Sequence, residues 1–174
     1  MIKTRAKLYE LIDLSLPGAE IGVASGVFSL EILQWGIKKL YMVDVWEETP
    51  NIRGMASDPD CPHNQNYLDA KERVKGYDAV LLKGLSVEMA KEVPDNSLGF
   101  IYIDACHYYD HVMADLQAWV PKLVHGGVCG LHDFGSPDYD VKRAATDFTN
   151  GKYVLHPLKE DGKIENMGAY FINK

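Results

Sequence analysis

Glu20-Ile21-Gly22-Val23-Ala24-Ser25-Gly26, followed by Tyr41-Met42-Val43-Asp44, decides how this chain folds. Ala19-Glu20-Ile21 is a short strand-like run that stops at Gly22. Phe28 to Trp35 then carries Phe28, Leu30, Ile32 and Leu33 at helical spacing and closes at Gly36. Lys39 to Val45 is again strand-like, with Asp44 near its end. A strand, a glycine turn, a helix and a second strand form one β-α-β unit.

The alternation continues downstream. Tyr67 to Lys75 is a helix of good formers, Ala79 to Leu82 a strand, Val87 to Val93 a helix, and Leu98 to Ile103 a strand ending at Asp104. Asp110 to Val124 is an amphipathic helix, with Val112, Leu116, Trp119, Val120 and Leu123 repeating at three and four; Pro121 should kink or split it. Gly126-Gly127 turns the chain into the strand Val128 to Leu131, which ends at His132-Asp133. Val141 to Phe148 is a helix, with Asp138-Tyr139-Asp140 as its cap. Tyr153 to Leu155 and Gly168 to Ile172 are closing strands joined through Asp161-Gly162. Upstream, Lys3 to Leu16 reads as an amphipathic helix stopped by Pro17-Gly18, and residues 47–65 form the longest irregular segment. This order predicts an α/β fold. It should be a three-layer Rossmann-like sandwich around a mostly parallel seven-stranded sheet, with one antiparallel strand in the edge region.

At 174 residues the chain suits one domain, 1–174, that needs neither disulfides nor metal to fold. Lys+Arg is 18 and Asp+Glu is 25, so the net charge is −7, a poor match for tight binding to a phosphate backbone. Residues 1–18 lack an apolar signal core, and no run approaches a bilayer span. Cys61, Cys106 and Cys129 are odd in number and form no CxxC pair. A reduced, cytoplasmic protein is the expectation, with no nucleic acid and no membrane among its partners. Nothing in the sequence excludes a homo-oligomer.

In open α/β sheets ligands bind beyond the carboxyl ends of the strands. The unusual residues collect there: Glu20 to Gly22, Asp44, Gly84-Leu85-Ser86, Asp104 to His107, and His132-Asp133. Gly22 lets the first turn approach a ligand closely, and the helix after it offers its N-terminal amides. Asp44, 22 residues after Gly22, is placed to accept ribose hydroxyls. NAD and S-adenosylmethionine both fit to this point. The dinucleotide pattern wants a glycine where Ala24 stands, and a carboxylate at Glu20 would repel a pyrophosphate while suiting the ammonium of a methionine moiety.

These residues resemble motifs I and II of the class I S-adenosylmethionine-dependent methyltransferases. Ile103-Asp104-Ala105-Cys106-His107, the helix through Trp119, Gly126-Gly127 and His132-Asp133-Phe134 are similar to a small subgroup with an I-D-G-x-H-x-Y stretch and an H-D pair. Val141 to Ala144 matches a short helix of that subgroup. The resemblance runs over about residues 17–174 and departs at Ala105, where glycine is usual, and at His125, where proline is usual. It implies that Glu20, Gly22, Val23, Ala24 and Gly26 hold the methionine end of the cofactor. It implies that Asp44 binds the ribose, that Val45 and Trp46 lie beside the adenosine, that Gly84, Leu85 and Ser86 border the adenine, and that Asp104 faces the cofactor.

Asp104, His107, His132 and Asp133 are the candidate chemical constellation. A histidine near neutrality is the obvious base for a hydroxyl acceptor. The group is similar to that of metal-dependent O-methyltransferases of the catechol and sugar-tailoring types, which implies that Asp104 and Asp133 bind Mg²⁺ and that His107, three residues past Asp104, is the base. His132 is a second catalytic candidate, and Glu47 or Glu48 would have to supply a third ligand. Cys61-Pro62-His63 reads as loop, and His63-Asn64-Gln65-Asn66 as a lining for the acceptor pocket. The function expected is O-methylation of a small hydroxylated metabolite, with sugar-containing molecules among the candidates. Its rivals are a non-catalytic cofactor-binding subunit and a nicotinamide-dependent oxidoreductase.

Overall fold

A computed structural model describes residues 7–47, 62–160 and 163–174. Seven strands form one sheet: β1 (Gly18–Ile21), β2 (Leu40–Asp44), β3 (Ala79–Lys83), β4 (Leu98–Ile103), β5 (Leu123–His132), β6 (His156–Glu160) and β7 (Lys163–Ile172). The helices are α1 (Val27–Gln34), α2 (His63–Arg73), α3 (Ser86–Met89), α4 (Tyr109–Trp119) and α5 (Val141–Thr149). The strand order is β3-β2-β1-β4-β5-β7-β6. β1 to β5 pair in parallel, and β7 runs antiparallel to both its neighbours. The expected three-layer α/β sandwich, with one reversed strand next to the edge, is therefore the fold.

The two outer layers follow from strand periodicity. β4 is apolar at nearly every position and buried throughout, the pattern of a strand covered on both faces. Ile101 and Ile103 face a core with Val112, Leu116 and Trp119 of α4 and Val141, Ala144 and Ala145 of α5. Phe100 and Tyr102 face the opposite core, with Phe28, Ile32 and Leu33 of α1 and Ala70 of α2. The chain order reverses between β1 and β4, so their carboxyl ends diverge into a crevice.

Several boundaries differ from the sequence expectation. The expected helix to Leu16 gives way to turns after residue 9, and its start before residue 7 lies outside the described residues. Asp13 Oδ1 accepts from Ser15 N at 2.9 Å and from Ser15 Oγ at 2.6 Å, the local competition by which Asp and Ser favour turns over helix. α2 begins at His63 rather than Tyr67, because Pro62 opens the turn and its carbonyl accepts from Asn66 N at 2.8 Å. Pro121 does split its helix: α4 stops at Trp119, a 3₁₀ turn covers Val120–Lys122, and β5 starts at Leu123 instead of Val128. Gly126-Gly127 lies inside that strand, where Asn173 binds the carbonyls of Leu123 and Val124 at 3.0 and 3.1 Å. The first closing strand is His156–Glu160, not Tyr153–Leu155. Tyr153 instead stacks on Phe171 at 4.9 Å, so its apolar character serves packing. Asp161-Gly162 and residues 48–61, with Glu48 and Cys61, lie outside the described residues.

Candidate active site

A cleft of about 510 Å³ opens at the carboxyl ends of β1, β2 and β4. Glu20, Gly22, Val23 and Ala24 border it from the first strand and turn; Asp44, Val45 and Trp46 from the second; Gly84 and Ser86 from the third; Asp104 from the fourth. His63 and Asn66 of α2 border it too; the sequence reading places that segment at the acceptor pocket. Gln65 turns away to Asp69 at 2.7 Å. Gly26 and Leu85 are not among the bordering residues: Gly26 opens α1 against Ala70, and Leu85 is exposed at the start of α3.

Glu20 is buried, and its carboxylate accepts a hydrogen bond from Ser29 Oγ on α1. Gly22 has φ +90°, and a Cβ there would lie 2.2 Å from the Asp104 carbonyl oxygen. Only glycine permits the first turn to close this tightly on the end of β4. The sequence did not foretell what Asp44 does to the turn. Its Oδ2 accepts from Val23 N at 2.9 Å and Ala24 N at 2.8 Å, and its Oδ1 from Trp46 N at 3.1 Å. Trp46 Nε1 donates to Ala24 O at 2.7 Å, and its ring meets Tyr67 edge-on at 5.1 Å. Ala24 takes φ +48° where a glycine would be unstrained, and these bonds offset that cost.

Ser86, expected to offer its hydroxyl to adenine, holds inward partners. Trp119 Nε1 donates to its Oγ at 2.8 Å, and Ser86 hydrogen-bonds Asp115. Asp115 is buried on α4, and burial pushes its carboxyl up to about 6 despite the Ser86 bond. Sequence reasoning missed it. The available signal was an acid at the i+3 position from Val112, on the apolar stripe of Leu116 and Trp119.

A folded pKa above the ordinary 3.8 means that the native protein binds more protons than the unfolded chain between pH 3.8 and about 6. Stability from this group is complete below pH 3.8 and is lost as pH rises through about 6, a loss of about 3 kcal/mol. Asp115→Asn should remove that dependence. Urea denaturation of both proteins at pH 4 and 7 measures it; an unchanged difference between them at the two pH values contradicts the assignment.

Asp104 borders the cleft and also opens the chemical cluster. Pairing of Ile103 with Leu131 sets the ends of β4 and β5 side by side. His107 Nε2 lies 3.3 Å from Asp104 Oδ1, and His107 Nδ1 lies 3.6 Å from Asp133 Oδ2. His132 Nδ1 lies 3.0 Å from Asp104 Oδ1 and 3.3 Å from Asp133 Oδ1. Burial works to raise the Asp104 carboxyl, but the two imidazoles outweigh it and hold its pKa below the ordinary value. Tyr139 packs on the His107 ring at 4.6 Å, and the His107 carbonyl accepts from Asp140 N at 3.0 Å. Asp140 caps α5 by position only; its carboxylate accepts from Tyr109 N at 3.4 Å instead. Asp133 has φ +50°, a strained backbone of the kind found at functional sites. Glu47 pairs with Lys83 at 3.7 Å. Burial raises the Cys106 thiol, so it stands in the cleft wall as a neutral group.

The ion expected from the sequence was Mg²⁺. One donor atom each from Asp104, His107 and His132 lies within 4.8 Å of the others, and Asp133 stands outside that trio. Two imidazoles and one carboxylate do not suit Mg²⁺, which takes oxygen ligands.

This is the fold of a class I S-adenosylmethionine-dependent methyltransferase. The chain belongs to the methyltransferase domain family, whose model matches residues 19–134. It is similar in fold to a protein of Streptococcus mutans described as a candidate methyltransferase and solved with S-adenosylhomocysteine (TM-score 0.70, 12% identity, 98% of this chain and 95% of that one). An rRNA methylase of Streptococcus thermophilus superposes with a TM-score of 0.66 at 14% identity, over 100% of this chain and 98% of that one. The TDP-rhamnose 3'-O-methyltransferase of calicheamicin biosynthesis does so at 0.64 and 15%, over 98% and 77%. A curated relative, the uncharacterized protein y4gI of Sinorhizobium fredii, is 31% identical over 71 residues. Those residues are 41% of this chain and 7% of that protein. Among the described residues no helix is long and apolar enough to cross a membrane.

Proposed function

We propose that the chain transfers the methyl group of S-adenosylmethionine to a hydroxyl oxygen of a small, sugar-containing acceptor in the cytoplasm. The S–CH₃ bond breaks, its electron pair stays on sulfur, an O–CH₃ bond forms, and the hydroxyl proton passes to the His107 imidazole. The observation that carries this reading is the His107 ring, set between two carboxylates beside the cleft. Asp104 and Asp133 stabilise the imidazolium that proton transfer creates. His132, held by the same carboxylates, orients the pair. Glu20 takes the methionine ammonium. Asp44 keeps lone pairs for the ribose while it fixes the turn, and Gly84 and Ser86 offer backbone to the adenine. A net charge of −7 supports a small-molecule acceptor over RNA.

Incubation with methyl-labelled S-adenosylmethionine and a panel of sugars, glycosides and catechols tests the proposal. Mass spectrometry should place the label on oxygen. Label on ribosomal RNA alone, or only on nitrogen or carbon, overturns it.

A further inference from the structure

We propose that Asp104, His107 and His132 form a binding site for a divalent d-block ion of the Zn²⁺ type, and that this ion, not Mg²⁺, is the metal the cluster selects. Donor spacing is the first support. Ligands bound at about 2.0–2.2 Å and adjacent on a tetrahedral or octahedral ion lie about 2.8–3.6 Å apart. Asp104 Oδ1 lies 3.3 Å from His107 Nε2 and 3.0 Å from His132 Nδ1.

The second support is what these nitrogens lack. His107 Nε2 and both His132 nitrogens are buried, and among the described residues none has a hydrogen-bond partner. His107 Nε2 lies close to the Asp104 carboxylate, and His132 Nδ1 to those of Asp104 and Asp133. Polar nitrogens buried without a hydrogen bond are costly, and a shared ion would satisfy His107 Nε2 and His132 Nδ1 together. The third support is Asp133. It stands outside the trio yet lies 3.6 Å from His107 Nδ1, the ring nitrogen left over once Nε2 holds an ion. A carboxylate on the far nitrogen is how metal-binding histidines are oriented. Imidazole donors favour Zn²⁺, Co²⁺ or Ni²⁺ over Mg²⁺.

Ion binding takes the His107 Nε2 lone pair, so it competes with service of that ring as a base. Only this consequence rests on the functional reading above; occupancy of the site does not. The test starts with purified full-length protein stripped by a chelator and desalted. Titration with Co²⁺ should give a visible d–d spectrum saturating at one ion per chain. Zn²⁺ should bleach that spectrum, and a roughly 10³-fold excess of Mg²⁺ should not. Asp133→Asn should weaken binding about 10–100-fold. His132→Ala, checked for fold by circular dichroism, should abolish it.

If His132→Ala fails to fold, Asp104→Asn serves the same purpose. Absence of a saturable Co²⁺ spectrum overturns the proposal. So does binding that survives in a folded His132→Ala or Asp104→Asn variant, or displacement by Mg²⁺. Zinc loading should also suppress methyl transfer, with EDTA restoring it. One ion bound with turnover undiminished would uphold the site and instead overturn the assignment of His107 as base.

Discussion

His107→Ala should fold, bind S-adenosylhomocysteine as the parent does, and lose roughly 10²–10⁴ in kcat, the span expected of one general base. A sugar hydroxyl is a weak nucleophile until its proton leaves, so the loss falls on turnover rather than on cofactor affinity. The backbone bond from Asp140 N to the His107 carbonyl survives the change, and the ring borders no part of the cofactor cleft. His132→Ala should cost less, because His132 acts by orienting Asp104 and Asp133. The opposite pattern, a lowered Tm with most of the rate retained, would mean that His107 only ties the loop together against Tyr139. Thermal melts and single-turnover kinetics on the same preparation separate the two.

Gly22→Ala should abolish measurable cofactor binding. Two effects combine there. The backbone sits at φ +90°, and the new Cβ would meet Asp104 O at 2.2 Å, Asp104 C at 2.4 Å and Ala105 N at 2.6 Å. All three are backbone atoms, so the end of β4 must move away from the first turn. That shift displaces Asp104 and the amides of Val23 and Ala24 together. Gly126 isolates the strain term: it has φ +84° with nothing within 4 Å of a Cβ. Gly126→Ala should cost about 1 kcal/mol or slightly more in stability and leave binding intact. Equal behaviour of the two variants would show that close approach at Gly22 is not what builds the cleft.

The sheet was legible because its central strands are short, near-continuous apolar runs, as strands covered on both faces are. Leu98 to Ile103 ends in Asp104, and no helix fits so short and uniform a run. The strand-end acids and histidines were legible for the same reason, since a parallel sheet brings its carboxyl ends to one edge. Their mutual approach was not. That Asp104 serves two imidazoles depends on the β4–β5 register, which spacing along the chain does not encode. Asp44 borders the cleft, yet its grip on Val23, Ala24 and Trp46 needs the turn folded back on β2, which spacing does not encode. Tyr153 to Leu155 misled because a β-branched and aromatic run looks like a strand whether it pairs or packs, and here Tyr153 packs on Phe148 and Phe171 while Val154 is exposed.

S-adenosylmethionine should bind in the cleft between β1 and β4. Calorimetric titration of the native chain with S-adenosylhomocysteine and, separately, with NAD⁺ tests it most directly. One S-adenosylhomocysteine should bind per chain, with no heat from NAD⁺ and no heat from either ligand with Gly22→Ala. Saturable NAD⁺ binding with no response to S-adenosylhomocysteine would contradict it.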